Sequence, residues 1–282
     1  MINQLKTVLF LGLLTGLILV IGKLLGGTAG LTIALVFAIL INFIMFFVSH
    51  KLVLWMYKAK EAPKSKYPKL HKIVEDLCKE AKLPKPKIYI VPTENPNAFA
   101  TGPTYKKAVV AVTDGILNLL TEEELKGVLA HELAHIKNRD MLITTIAATL
   151  AAVISYIANI FQWFAIFGGG DEDNRGNILG LLALAILTPI IAMIIQLAIS
   201  RSREYIADET GARFIKTGEP LAIALEKLEA GNKSNPLRMG NQATNSMFIV
   251  NPFRGTGQFF TSIFSTHPNT KSRTEKLRSL KL

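Results

Sequence analysis

Four stretches of this chain are long and almost free of charge: Thr7 to Leu25, Leu31 to Val48, Met141 to Phe167 and Ile178 to Ile199. At a rise of about 1.5 Å per residue, each is long enough as a helix to cross the roughly 30 Å hydrocarbon core of a bilayer. Half of the 282 residues are hydrophobic, so composition also points to a membrane protein. The first stretch lacks an A-x-A cleavage pattern and is followed, after a short Gly-rich turn, by the second. It therefore reads as a retained anchor and not as a signal peptide, with Lys23 snorkelling out. Gly12 and Gly16 form a small-residue face for packing on a helix of the same chain or of a second copy, which leaves a homo-oligomer open.

Charge sets the expected orientation. After the second stretch come Lys51, Lys58, Lys60, Lys64, Lys66, Lys69 and Lys72 against Glu61 alone, while the connection between the third and fourth holds Asp171, Glu172, Asp173 and only Arg175. The Lys-rich side should be cytoplasmic, and an even number of spans puts both termini and nearly all polar sequence there. Trp55 and Tyr57 fit an inner aromatic belt, and Trp163 an outer one. The net charge of +11 is concentrated beside the spans and follows no nucleic-acid motif, so the expected partner is anionic lipid and not nucleic acid. The one cysteine, Cys78, excludes an internal disulfide.

Between the apolar stretches the periodicity predicts a helix over Tyr67 to Lys82, ended by Pro84 and Pro86, and a strand over Lys87 to Val91. Asn97 to Thr101 and Lys106 to Val112 read as two further strands joined through Gly102 and Pro103, giving a small antiparallel sheet. Thr121 and Glu124 form a capping box that opens a helix running to about Asp140. SRSREYIADETGARFI continues the fourth span as a helix until Gly218 and Pro220, Gly231 to Asn251 reads as a loop, and Pro268 to Leu282 as a short basic helix.

The capped helix carries the motif with the sharpest chemistry. His131-Glu132-Leu133-Ala134-His135 puts two imidazoles on one face a turn apart, able to share one zinc ion, with Glu132 beside them as a base. The charges around it, Glu122 to Glu124, Lys126, Lys137 and Arg139, place the motif outside the hydrocarbon. A hydrolytic zinc needs a third protein ligand and one open position. The metzincin pattern would need Gly at 138 and His at 141, where this chain has Asn138 and Met141.

A later His or an acid on a second helix is left. Glu204 is the better candidate, with Asp208 a turn further on the same face to accept from a ligand imidazole, although Glu209 and Asp140 are also available. On spacing alone, Glu204 and Asp208 read equally well as solvated acids paired with Arg201 and Arg203. The hairpin of spans three and four favours the metal reading, since His135 and Glu204 lie about 9 Å and 7.5 Å from the ends of those spans.

HELAH, SRSREYIAD, the NAFATG stretch at 97 to 102 and the THP at 266 to 268 together resemble the HtpX family of membrane-bound heat-shock proteases, related to the type I CAAX prenyl proteases. The resemblance covers nearly the whole chain. It implies zinc ligands His131, His135 and Glu204, a general base and acid in Glu132, and Asp208 supporting a ligand. It also implies that Asn97 and the strand through Ala108, Val109, Val110 and Ala111 hold the substrate backbone, and that His267 stabilises the transition state. Arg273 matches a basic position after the His-Pro pair, without an assigned role.

The expectation is a mainly α membrane protein of four transmembrane helices with a cytoplasmic zincin-like (gluzincin) α+β catalytic domain. Residues 1–60 and 141–199 form the two transmembrane hairpins, and 61–140 and 200–282 the two catalytic parts. With one zinc ion per chain, it would hydrolyse polypeptides, chiefly damaged membrane proteins, at a prokaryotic plasma (inner) membrane. Two alternatives stand beside it: a prenyl-protein protease, and a non-catalytic membrane scaffold with structural zinc, against which the absence of charge in mid-span speaks.

Overall fold

In the computed structural model, the residues described are 2–142, 144–146, 201–234, 249 and 268–282. Most of the third apolar stretch, all of the fourth and the acidic connection between them, His267 and most of the 231–251 segment lie outside them. The chain opens with helix α1 (Ile2–Met56), interrupted by non-helical backbone at Gly26 and Gly27. Thr15 and Asn42 are 27 positions apart, a distance of about 40 Å along one straight helix. Yet Asn42 Nδ2 donates to Thr15 Oγ1 at 2.8 Å, so the chain turns back at the two glycines and its halves pack side by side. The half from Gly26 to Met56 is long and apolar enough to cross a membrane.

Four strands follow, interleaved with helices: β1 (Lys60–Glu61), α2 (Pro68–Ala81), β2 (Lys87–Val91), β3 (Ala98–Thr101) and β4 (Val109–Thr113). Their order in the sheet is β1-β2-β4-β3. β1 runs antiparallel to β2 and β3 antiparallel to β4, but β2 and β4 are parallel, so the sheet is mixed and not antiparallel as expected. Lys106 and Lys107, expected at the start of the last strand, instead belong to a single 3-10 turn, Tyr105–Lys107.

β4 is buried at every position, and apolar from Val109 to Val112, because both of its faces are covered. Val110 and Val112 point into a core shared with α2 and helix α4 (Glu122–Asn138), whereas Val109 and Ala111 meet Val53, Leu54 and Tyr57 at the end of α1. The apolar helix of the N-terminal hairpin therefore seats directly on the sheet, and the Tyr57 ring lies 5.9 Å from that of Phe99 on β3.

After the short α3 (Asp114–Leu119), α4 begins at the expected capping box: the Thr121 N–H donates to Glu124 Oε2 at 3.0 Å, and the Glu124 N–H to Thr121 Oγ1 at 3.4 Å. It ends at Arg139, whose left-handed backbone (φ 58°, ψ 35°) separates it from the helical residues that start the third apolar stretch. Among the described residues the remaining helices are α5 (Arg201–Ile215), α6 (Glu219–Ser234) and α7 (Thr270–Ser279), so residues 231–234 continue a helix where a loop was expected. α5 approaches α4 closely at Gly211, where a Cβ would stand 2.9 Å from the backbone of Ala130 and His131. That contact puts the second helix of the site against the first.

Candidate metal centre

α4 presents His131 and His135 one turn apart, and α5 presents Glu204 opposite them. The two Nε2 atoms are 3.1 Å apart; His131 Nε2 is 3.7 Å from Glu204 Oε2, and His135 Nε2 is 3.7 Å from Glu204 Oε1. Ligands held tetrahedrally at the usual 2.0–2.1 Å from zinc stand about 3.4 Å from one another, so this triangle has the size that the ion requires. The two imidazole nitrogens and the carboxylate oxygen all lie within 4.8 Å of one another.

Each imidazole is turned by a carboxylate on its other nitrogen. His131 Nδ1 is 2.9 Å from Asp208 Oδ1, and His135 Nδ1 is 3.2 Å from both oxygens of Asp140. Such partners fix the ring orientation and aim the remaining lone pair at a metal. Asp208 and Glu204 are buried, at 3% and 6% exposure, which rules out the reading of two solvated acids. Asp140, available in the sequence as a rival ligand, serves His135 instead. It is the first residue past the left-handed break after α4, and its N–H returns to the His135 carbonyl at 3.3 Å.

Arg273, from α7, completes the cluster. Its side chain is buried, its Nε and Nη2 donate to Asp208 at 2.9 Å and 2.7 Å, its Nη1 donates to the Ile249 carbonyl at 2.9 Å, and Nη1 lies 3.4 Å from Glu204 Oε2. Burial works against both charges, but Arg273 and Asp208 outweigh it for each other, so the carboxyl stays below its ordinary range and the guanidinium stays charged. Burial pushes His131 below its ordinary value, leaving it neutral with Nδ1–H on Asp208 and a free lone pair on Nε2. For His135 burial acts downward too, yet Asp140 and then Glu204 and Glu132 overcome it and lift the imidazole to about 10. The proton so held on Nε2 faces His131 Nε2.

Glu132 is 3% exposed, and burial raises its carboxyl to about 7. The residue bonds to the backbone of Ala100 on β3, which places the candidate base between the metal helix and the edge of the sheet. That edge differs from the expected one. β4 is paired along both sides, with β2 and with β3, so the backbone of Val109, Val110 and Ala111 is committed, and the Ala108 carbonyl accepts from Lys87. β3 lies at the end of the strand order. The Asn97 carbonyl accepts from the Thr113 N–H at 3.0 Å, so residues 97, 99 and 101 turn their backbone groups to β4 while Ala98 and Ala100 turn theirs outward. Asn97 itself is fully buried, and its Oδ1 accepts from Ala98 and Ile249 N–H groups at 3.1 Å and 3.2 Å. It shapes the start of the edge. His267 lies outside the described residues.

Residues 64–281 match the model of peptidase family M48. A protease HtpX homolog of Persephonella marina is 54% identical over 279 residues, covering 98% of this chain and 96% of that protein. Another from Pyrococcus furiosus is 51% identical over 276 residues, covering 98% and 95%. Among solved structures, the crystal structure of S. mikatae Ste24p matches with a TM-score of 0.53 at 19% identity, over 98% of this chain. This chain spans 65% of the length of that one, and at such identity the likeness is one of fold.

Proposed function

The chain belongs to peptidase family M48, and on that premise we propose that this membrane metalloprotease is a zinc endopeptidase using His131, His135 and Glu204 as ligands and Glu132 as its base. The observation that carries the reading is the convergence of two imidazole nitrogens and a carboxylate at tetrahedral-edge distances, with Glu132 between them and the outward edge of β3. Zinc, when bound, supplies Lewis-acid polarisation of the scissile carbonyl and of the attacking water.

Glu132 accepts a proton from that water as its oxygen adds to the carbonyl carbon, then delivers the proton to the leaving amine nitrogen as the C–N bond breaks. Asp208 and Asp140 keep the two imidazoles aimed, and Arg273 keeps Asp208 charged. The peptide lies extended along β3 and pairs with the outward carbonyls of Ala98 and Ala100, whose N–H groups already serve Asn97 and Glu132. Main-chain pairing of this kind tolerates many side chains and suits a broad clientele such as damaged membrane proteins. His267 keeps the role implied by the family resemblance, stabilising the developing oxyanion.

The catalytic parts, 61–140 and 200–282, face the cytoplasm of a prokaryotic cell, held there by two transmembrane hairpins. The charge asymmetry of the loops supports this arrangement. Glu132→Gln tests the reading directly. The variant should bind zinc and stay folded but lose peptide cleavage, and cleavage at a near wild-type rate with zinc bound would sink the assignment of the base.

A further inference from the structure

We propose that the turn joining β3 to β4, through Lys106 and Lys107 together with the adjacent Arg139, docks the phosphate of anionic phospholipids and so steadies the strand that receives the peptide. The proposal rests on the reading of β3 as the peptide edge. Three stretches far apart in sequence meet at this turn. Lys107 lies close enough to His50, near the end of α1, to act on it electrostatically. The Arg139 guanidinium sits 4.9 Å over the Tyr105 ring, and Lys106 Nζ is 5.9 Å from the same ring.

The three cations are exposed, and residues 49–60 and 101–113 contain no Asp or Glu to neutralise them. Asp140, next to Arg139, is buried against His135. Cations gathered at one turn, and held in no ion pair among the described residues, call for an anion from outside. The height of the face says which anion. Phe43, Phe47 and Val48 on α1 are exposed at 62%, 47% and 43%, their run gives way to His50 and Lys51 within about 3 Å along the helix, and Trp55 beyond them is exposed as a residue of the membrane interface is. The cations therefore stand at the level of lipid headgroups, where each is drawn to anionic lipid.

The turn is also built to transmit what it binds. Gly102 has φ +139°, and a Cβ there would stand 2.5 Å from the Lys107 carbonyl oxygen, so the turn closes tightly on itself. The Lys107 N–H donates to the Thr104 carbonyl at 3.0 Å. Thr101, the last residue of β3, has its hydroxyl 2.9 Å from that of Thr145, in the helical start of the third apolar stretch. A headgroup gripping the turn thus acts on the end of the peptide edge, and its effect belongs in KM more than in kcat.

The test uses the full chain in nanodiscs of phosphatidylcholine alone or with added phosphatidylglycerol, and a membrane-tethered reporter peptide. Wild type should retain phosphatidylglycerol through purification, read by mass spectrometry, and show a lower KM when that lipid is present. The triple variant Lys106→Gln, Lys107→Gln, Arg139→Gln should retain it less, by roughly fivefold per cation lost, and lose the KM response, with zinc content and thermal midpoint unchanged. Lys106→Arg, Lys107→Arg and Arg139→Lys together should restore both. Equal retention by the triple variant overturns the proposal. So does an equal fall in KM when glycerol phosphate is added in solution to phosphatidylcholine discs, since the face would then read a free phosphoester. If no form cleaves the peptide, the proposed function fails, while lipid retention still decides the docking site.

Discussion

Arg273 holds Asp208 through two hydrogen bonds, at 2.9 Å and 2.7 Å, across 65 positions of sequence and without access to water. Asp208 in turn meets His131, and Arg273 Nη1 also lies 3.4 Å from Glu204, so the C-terminal helix reaches the metal centre through two carboxylates. Removing the guanidinium leaves a buried charge behind, a loss of about 3–5 kcal/mol when such pairs are broken. Arg273→Ala should therefore lower the thermal midpoint sharply and weaken zinc binding. Arg273→Lys should recover part of the stability but less of the affinity, because an ammonium cannot reproduce the two-point grip. Calorimetry and zinc titration on the same samples check this, and a zinc affinity unchanged in both variants would refute the link.

Asp140 and Asp208 perform the same service for different imidazoles. Asp208→Ala and Asp140→Ala should each reduce zinc affinity by about 10- to 100-fold, while Glu204→Ala, which removes a donor itself, should reduce it more. Competition with a chelator of known affinity gives the order. If either aspartate proves more damaging than Glu204, the ligand has been misassigned.

How much of this was legible in the sequence depends on how local each relationship is. His131, Glu132 and His135 lie within one turn of one helix, and the capping box at Thr121 and Glu124 announces where that helix starts, so short-range spacing suffices. Glu204 and Asp208 also share a helix face, and only their meeting with α4 needed the fold. Arg273 and Asp208 share no element, and nothing near Arg273 signals a buried partner; its place in the chain resembled only a basic position after a His-Pro pair. Asp140 was visible as an acid near the motif, but its return to His135 depends on the left-handed Arg139, a backbone feature that no side-chain pattern encodes.

The sheet failed for a similar reason. β2 and β4 pair in parallel with β3 lying between them in sequence, and the apolar run of β4 reads equally well as an edge or as the doubly covered strand that it is. The proposal of β3 in place of β4 as the peptide edge rests on that pairing.

Zinc binding should release a proton. The metal-free site holds His135 charged up to about pH 10, with Asp140 the chief partner outweighing burial, and a ligand imidazole must be neutral. Apparent affinity should therefore rise about tenfold per pH unit between roughly pH 7 and 9, where an ordinary histidine near 6.5 would already have levelled off. The same proton stabilises the metal-free fold: the effect is complete below about 6.5 and is lost as pH climbs through about 10. Asp140→Asn should flatten the affinity slope. Calorimetric titration in buffers of different ionisation enthalpy counts the protons, and a count near zero at about pH 8 would exclude the charged His135.

The arrangement of the chain in the membrane is the last element on which the site depends. His131 and His135 precede the third apolar stretch and Glu204 follows the fourth, so the ligands meet only if those two stretches bring the chain back to the face that it left. The Lys-rich segment and α1's end pack against the same sheet as the metal helix, which puts Lys64 on the catalytic side. The acidic connection around Asp173 then belongs on the opposite side. Single cysteines at Asp173 and Lys64, in a background with Cys78 replaced, should answer differently to a membrane-impermeant thiol reagent on intact cells. Asp173→Cys should label, and Lys64→Cys should label only after the membrane is opened. Labelling at both sites, or at position 64 alone, would break the two-hairpin arrangement, and with it the return of Glu204 to the metal helix from across the bilayer.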